Sequence, residues 1–515
     1  MTAGENKNPF RPYKSKLKIS AGIALVSAIY FADVFLRASR KYFWFDELLT
    51  TYLCRFHDFK GTWSAVLHGA DFNPPLLYLL TRCAQRFFGE GLIATRLPAM
   101  VGVWLFGVCL FFFVAKRAGK VSGFIAGVFP FFTLAEYYAY EARPHGVVLG
   151  WCGLTLVCWQ RSAEGQARKL WLAGFGLCLV GALLTHVYAV YILFPFALVE
   201  IYNLFHRGRP DWGVVAALVL SLTSVTLTVY LPLFRMYRAT VLLLFFPASH
   251  DTVQRFLITA LGPAIGVFVI STALCALEES WRTQPTTANA AIPTRELLVA
   301  AGFACIPLAG VVGSKISHGP FVERYFLSSL AGYAILLGFA SSRPRVSSWT
   351  ARALASCMFL LMIGDLGTTI YLRKMNRIVL TEPSTGLTLS TTSSSPMARY
   401  ETVMSGNNGL DILVVPSLEY LYFFKYAPPS VVSHLYFGAP KNDVNLGVCL
   451  KLAKAMHLDL KTTAFDAFIA THSRFLVYEG GNGENLAATQ AVASAGYRLI
   501  SVRADSAGVM YEYEK

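Results

Sequence analysis

Two carboxylates stand side by side in "WFDELLT", Trp44–Thr50, just beyond the first apolar stretch of a 515-residue chain. Ionisable groups next to hydrocarbon are costly and tend to face a cavity. Neighbours on a helix point about 100° apart, so Asp46 and Glu47 suit different tasks: one to take a proton, the other to cap or pair. The bland alternative is that both complement the positive end of an interfacial helix. Polar residues recur at similar boundaries. "YYAYEARPHG" holds Glu141, Arg143 and His145; "SKISHGPFVERYFL" holds Lys315, Arg324 and Tyr325; "LTHVYAVY" holds His186. The cations are suited to holding an anionic phosphate. Their bland reading is anchoring at the interface, with Glu141 paired to Arg143 among belt aromatics. His186 has no second ligand at metal spacing and reads as a hydrogen-bonded packing residue. No residue is assigned to metal, and a divalent metal cofactor is left open.

The elements that must position these groups are membrane helices. The chain is 55% hydrophobic and 15% charged, with a mean hydropathy of +0.48, too apolar for a soluble protein of this size. Its net charge of +15 falls in short clusters between apolar runs, such as Lys116, Arg117 and Lys120, or Arg343, Arg345 and Arg352. Placing all clusters on one side satisfies the positive-inside rule. That excludes a nucleic-acid surface as the first explanation and makes the N-terminus cytoplasmic; a bacterial inner membrane is the expected location. With about 20 residues per crossing, about eleven spans are expected: 17–37, 95–115, 121–140, 144–160, 170–189, 190–205, 213–234, 257–278, 296–313, 326–341 and 354–371. The run Leu17–Leu36 reads as a retained anchor. Segment 74–88 mixes Leu with Arg82, Gln85 and Arg86 and reads as an amphipathic helix in the interface. An odd count leaves the C-terminus outside, and the chemistry-bearing residues then share the outer boundary.

Residues 1–371 are thus expected to form the transmembrane domain, with a first outer loop over 38–94. Residues 372–400 read as a Ser/Thr-rich linker and 401–515 as a soluble extracytoplasmic domain. There "DILVVPS", "VVSHLYF" and "RFLVYEG" predict strands, "LEYLYFFKYA", "NLGVCLKLAKAMHL" and "NLAATQAVASAGY" predict helices, and the last residues predict a hairpin. Alternation of this kind predicts a small α/β domain with a mainly parallel sheet. "EGGNGENL" reads as a solvated turn with Asn485 as N-cap rather than a phosphate loop. The ten cysteines read as small core residues, with a Cys54–Cys83 bond as the one pairing considered.

The order of "FDELLT", "FNPPLLYLL", "FGEGLIATRLPAM", "YYAYEARPHG", "LTHVYAVYILF" and "VERYFLSSL" resembles the GT-C integral-membrane glycosyltransferases. Within them it is similar to the branch of protein O-mannosyltransferases and the lipid A aminoarabinose transferase. The resemblance covers roughly 1–371 and implies a mainly α, polytopic helical bundle followed by the small C-terminal α/β domain. It implies transfer of a sugar from a polyprenyl-phosphate donor to a lipid, glycan or protein acceptor outside the cytoplasm. It makes Asp46 the catalytic base with Glu47 as its paired acid, sets Glu141 and Arg143 on the reacting groups, and sets Arg324 and Tyr325 near the donor phosphate. His145, His186 and Lys315 join them as substrate-binding expectations. Two rival readings are a lipid or sugar transporter and a non-catalytic envelope assembly protein. A transporter would show midplane charges and an internal repeat, and neither is evident.

Overall fold

The first apolar run forms α1, Arg11–Ala38, in a computed structural model. It describes residues 11–515 apart from 57, 166, 241–247, 250, 263, 283–291, 318, 376–377, 382–387, 392–396, 398–399, 406, 416, 439–453, 455–460, 481–485 and 506. Three short helices follow: α2 (Phe45–Leu53), α3 (Phe59–Leu67) and α4 (Leu76–Phe88). The Asp58 side chain caps α3 by accepting from the Gly61 amide. At about 1.5 Å per residue, α4 is too short to cross a bilayer. It buries the single stripe Leu77, Tyr78, Thr81 and Gln85, as an interfacial amphipathic helix would.

The next helix, α5 (Leu92–Val128), is interrupted at Gly119, whose φ of 82° and ψ of 170° are non-helical. Such a φ is easy only for glycine. The chain folds back there, and a Cβ on Gly107 would stand 2.6 Å from the Gly127 carbonyl oxygen. After α6 (Leu134–Ala139), α7 (Pro144–Ser162) begins with proline at its first position, where the missing amide costs nothing. A Cβ on Gly146 would lie 2.9 Å from the Ala99 oxygen. This backbone-to-backbone approach sets the start of α7, with Arg143 and His145, against α5.

The bundle continues through α8 (Arg168–Thr185), α9 (Leu193–Arg207), α10 (Trp212–Val225), α11 (Leu231–Thr240), α12 (Thr252–Leu261), α13 (Ala264–Trp281), α14 (Thr294–Ala304), α15 (Ile306–Ser317), α16 (Leu330–Ala340) and α17 (Ser348–Lys374). Among the described residues, 7 helices are long and apolar enough to cross a membrane, or 8 if the pair α14 and α15, bent by 52°, is one span. The chain is a multi-pass membrane protein, and the expected count of about eleven spans is corrected. Hydropathy windows measure apolar length and miss breaks. The window 257–278 is cut at Gly262 between α12 and α13, and 326–341 holds the 11-residue α16 behind a 3-10 turn.

The linker carries a two-stranded antiparallel hairpin, β1 (Ile378–Thr381) with β2 (Thr388–Thr391). Beyond it come α18 (Glu401–Met404), β3 (Ile412–Val414), α19 (Ser417–Tyr426), α20 (Pro429–Val432), β4 (Leu435–Phe437), β5 (Arg474–Gly480), β6 (Arg498–Ala504) and β7 (Gly508–Glu514). Strand order is β4-β3-β5-β7-β6. β3 runs parallel to β4 and β5, and β7 antiparallel to β5 and β6, so the sheet is mixed rather than mainly parallel. Alternate residues serve two cores: Ile412, Val414 and Leu476 on one face, Leu413, Phe475 and Val477 on the other. The helices Phe465–Thr471 and Leu486–Ser494 cover the second face through Phe468, Ile469, Ala488 and Val492. The helix expected over "NLGVCLKLAKAMHL" and the turn "GGNGEN" lie almost wholly outside the described residues. α19 also reaches the membrane bundle: Leu421 belongs to its core, and the Phe43 amide donates to the Tyr426 hydroxyl at 2.9 Å.

Candidate active site

Arg96 organises the acid loop. From α5 its guanidinium donates to the carbonyls of Ala38 (2.8 Å), Lys41 (2.6 Å) and Tyr42 (3.3 Å). It also grips Glu47 with two prongs, Nε to Oε1 at 2.7 Å and Nη2 to Oε2 at 2.8 Å. Glu47 Oε1 accepts in addition from the Ala142 amide at 2.7 Å, which ties the turn before α7 to the acid loop. Its Oε2 also accepts from the Trp44 amide at 3.4 Å, at the start of α2. Burial pushes the Glu47 carboxyl up, but Arg96, Lys41 and the Ala142 amide outweigh it and hold the group below the ordinary carboxylate range. Glu47, expected beside Asp46 in catalysis, is therefore fully buried with its oxygens committed to the scaffold.

Asp46, one residue earlier, points elsewhere. Its side chain is 20% exposed, with Oδ2 at 3.8 Å from Arg143 Nε and 4.0 Å from Arg324 Nη2. Arg143 is fixed from behind: Nη1 donates to the Asp46 backbone oxygen at 2.9 Å and to Asp71 Oδ2 at 2.9 Å. Asp71 also accepts from the Tyr78 hydroxyl, the Asn73 side chain and the Phe72 amide. Burial raises its carboxyl, and Arg143 with these donors brings it below the usual range. For Arg143 the desolvation penalty is overcome by Asp71 and Asp46, which hold it charged.

Arg324 and Tyr325 sit in the 3-10 turn Glu323–Ser329. The Arg324 guanidinium lies 5.5 Å from the Tyr325 ring, and its charge opposes the rise that burial gives the Tyr138 phenol. Tyr325 packs against His186 (4.9 Å between centroids), His145 (5.9 Å) and Tyr188 (4.5 Å). The Tyr188 amide donates to His186 Nδ1 at 3.2 Å, so that nitrogen is the acceptor and Nε2 carries the proton. Burial, then Arg143 and Arg324, lowers His186 to about 3, leaving it neutral. His145 and His186 face each other at 5.2 Å and form an aromatic wall beside Arg324.

The other expectations separate. Glu141 is fully buried, paired with Lys41 and bonded by the Trp44 indole, so it braces the loop instead of pairing with Arg143. Lys315 is exposed near the end of α15, and no ion pair joins it to the cluster among the described residues. Cys54 and Cys83 are free thiols, the first buried as a core residue and the second exposed, so the core reading fails for Cys83 and the alternative pairing is not formed. Sequence reasoning missed Arg96, Asp71 and Lys41. Arg96, a lone cation inside the apolar "GLIATRLPAM", was the readable signal, since such a charge requires a partner. The divalent-metal expectation meets a group of three carboxylates, Asp33, Glu136 and Asp365, whose ligand oxygens lie within 4.8 Å of one another.

No family model matches the sequence, and no curated protein does. Solved structures do match. ArnT from Cupriavidus metallidurans in the apo state superposes with a TM-score of 0.55 at 13% identity, covering 97% of this chain and 98% of that one. The same protein bound to undecaprenyl phosphate gives 0.56 at 13%, covering 96% and 98%. At such identity the likeness is one of fold: over nearly its whole length this chain shares the fold of ArnT.

Proposed function

We propose that this chain is a membrane glycosyltransferase that moves a sugar from a polyprenyl-phosphate donor to an extracytoplasmic lipid, glycan or protein acceptor, with inversion. The observation that carries the reading is the contrast between adjacent acids. Glu47 is closed by four donors. Asp46 is partly open, and no hydrogen bond occupies its carboxylate among the described residues, although two guanidinium groups stand about 4 Å away. That is the arrangement a base and an anion site require.

In the proposed step the acceptor hydroxyl oxygen bonds to the anomeric carbon as the bond from that carbon to the phosphate oxygen breaks. Asp46 takes the hydroxyl proton, and the electron pair leaves on the phosphate. Arg324 and Arg143 hold the developing charge there. Glu47, Arg96, Asp71 and Glu141 act as positioning residues. One displacement inverts the anomeric centre. The lipid in the undecaprenyl-phosphate-bound ArnT structure supports a donor of the same chemical class.

In this reading the site faces outward from a bacterial inner membrane, the N-terminus is cytoplasmic, and residues 401–515 form an extracytoplasmic domain docked by α19. The basic cluster Lys116, Arg117 and Lys120 beside the Gly119 break in α5 supports that orientation under the positive-inside rule. The test is release of free polyprenyl phosphate from lipid-linked sugars by purified protein. Asp46→Asn is expected to lower turnover by about 10²–10⁴-fold with unfolding temperature unchanged. Full activity in that variant overturns the assignment.

A further inference from the structure

The three carboxylates near the end of α1 hold more negative charge than their cation cancels. Arg37 Nε lies 2.8 Å from Asp33 Oδ2 and 3.2 Å from Glu136 Oε1, and its Nη2 lies 2.7 Å from Asp365 Oδ2. One guanidinium thus faces three acids drawn from α1, α6 and α17. Uncompensated charge at the edge of a bilayer is expensive, and with all three acids ionised two further positive charges are needed for neutrality.

Two independent observations mark a place that could take them. A void of about 20 Å³ lies between the helices, bounded by Asp33, Glu136 and Asp365 with Tyr30, Ile29, Val34, Phe131, Phe132 and Met362. That is room for one water-sized occupant. Asp33 is 7% exposed, and its second oxygen, Oδ1, has no hydrogen-bond partner. A buried carboxylate oxygen left without a donor costs free energy unless a cation meets it.

We infer that a divalent cation of the calcium class binds in this void, ligated by Asp33, Glu136 and Asp365 alongside Arg37. An all-oxygen, all-carboxylate donor set selects hard cations. The oxygens lie within 4.8 Å of one another, a span that one ion with bonds of about 2.3–2.6 Å bridges, and calcium tolerates the irregular geometry of ligands drawn from three helices where magnesium demands a near-ideal octahedron. The bound ion joins the helix that leads into the acid loop, the helix before the turn into α7, and the helix that leads to the tail domain. It is a structural cation, and the inference stands whether or not the proposed sugar transfer does.

The test uses full-length protein in detergent, stripped with EDTA and titrated with Tb³⁺, which occupies calcium-type sites and emits when a neighbouring tyrosine is excited. Tyr30 lines the void and is the antenna. The expected result is saturable emission, displaced by Ca²⁺, with one radiolabelled calcium bound per chain in equilibrium dialysis. Asp365→Asn should weaken Tb³⁺ binding about tenfold or more. Tyr30→Phe should abolish the emission while keeping calcium bound, a check that does not depend on removing a ligand. Absence of saturable emission and of bound calcium overturns the proposal, because protons then neutralise the acids. Emission unchanged in both variants overturns it as well, because the ion then sits elsewhere.

Discussion

Arg96 and Glu47 form a two-pronged ion pair, 2.7 and 2.8 Å long, in which neither side chain is exposed. The pair leaves Asp46 as the free acid of the motif, because α2 cannot rotate without breaking both prongs and the bond to Ala142.

Glu47→Gln removes the charge that Arg96 needs and leaves a buried guanidinium uncompensated. The expected cost is about 3–5 kcal/mol, read as a fall in unfolding temperature and in the yield of monodisperse protein. Activity should fall with it. A Glu47→Gln protein as stable as wild type yet inactive would instead make Glu47 catalytic.

Arg324 stands 4.0 Å from Asp46 and makes no other ion pair among the described residues, so Arg324→Ala should lower kcat by about 10²–10³-fold with the unfolding temperature kept. Lys315→Ala, remote from the cluster, should leave kcat and KM unchanged. Steady-state kinetics on a lipid-linked sugar donor separates the two, and equal effects would refute the placement of the anion site.

Tyr426→Phe deletes the hydrogen bond from the tail domain to Phe43. A single bond of about 1 kcal/mol predicts a roughly fivefold drop in kcat with donor KM little changed. An unaltered kcat would show that the tail domain does not tune the acid loop.

Glu479 is buried in β5 at 1% exposure, its oxygens are unpartnered, and burial pushes its carboxyl up to about 7. The folded state therefore holds a proton that the unfolded state has lost. The contribution to stability is full below the ordinary carboxylate range, falls by about 1.4 kcal/mol per pH unit up to pH near 7, and levels off above. Hydrogen exchange at β5 and β7 should show that slope, and Glu479→Gln should flatten it.

Much of the site was legible because its members announce themselves singly. Asp46, Arg143, Arg324, Tyr325, His145 and His186 are polar residues at the ends of apolar runs, and the fold brings them together. What stayed hidden depends on partners. Nothing local says that Glu47 belongs to Arg96, 49 residues on, or that Arg143 belongs to Asp71 rather than Glu141. The tail strands were readable from β-branched and aromatic runs, but not the order that sets β7 between β5 and β6. The spans were overcounted because an apolar window does not reveal a break such as Gly262.

Arg96 gathers the carbonyls of Ala38, Lys41 and Tyr42, and Glu47 waits for both Arg96 and the Ala142 amide. Synthesis runs in the opposite sense to this dependence: the acid loop leaves the ribosome before its fastener, and its fastener before the second turn. A nascent chain therefore carries the acids with no defined geometry, and they take up their working arrangement only once the hairpin at Gly119 and the start of α7 have entered the bilayer.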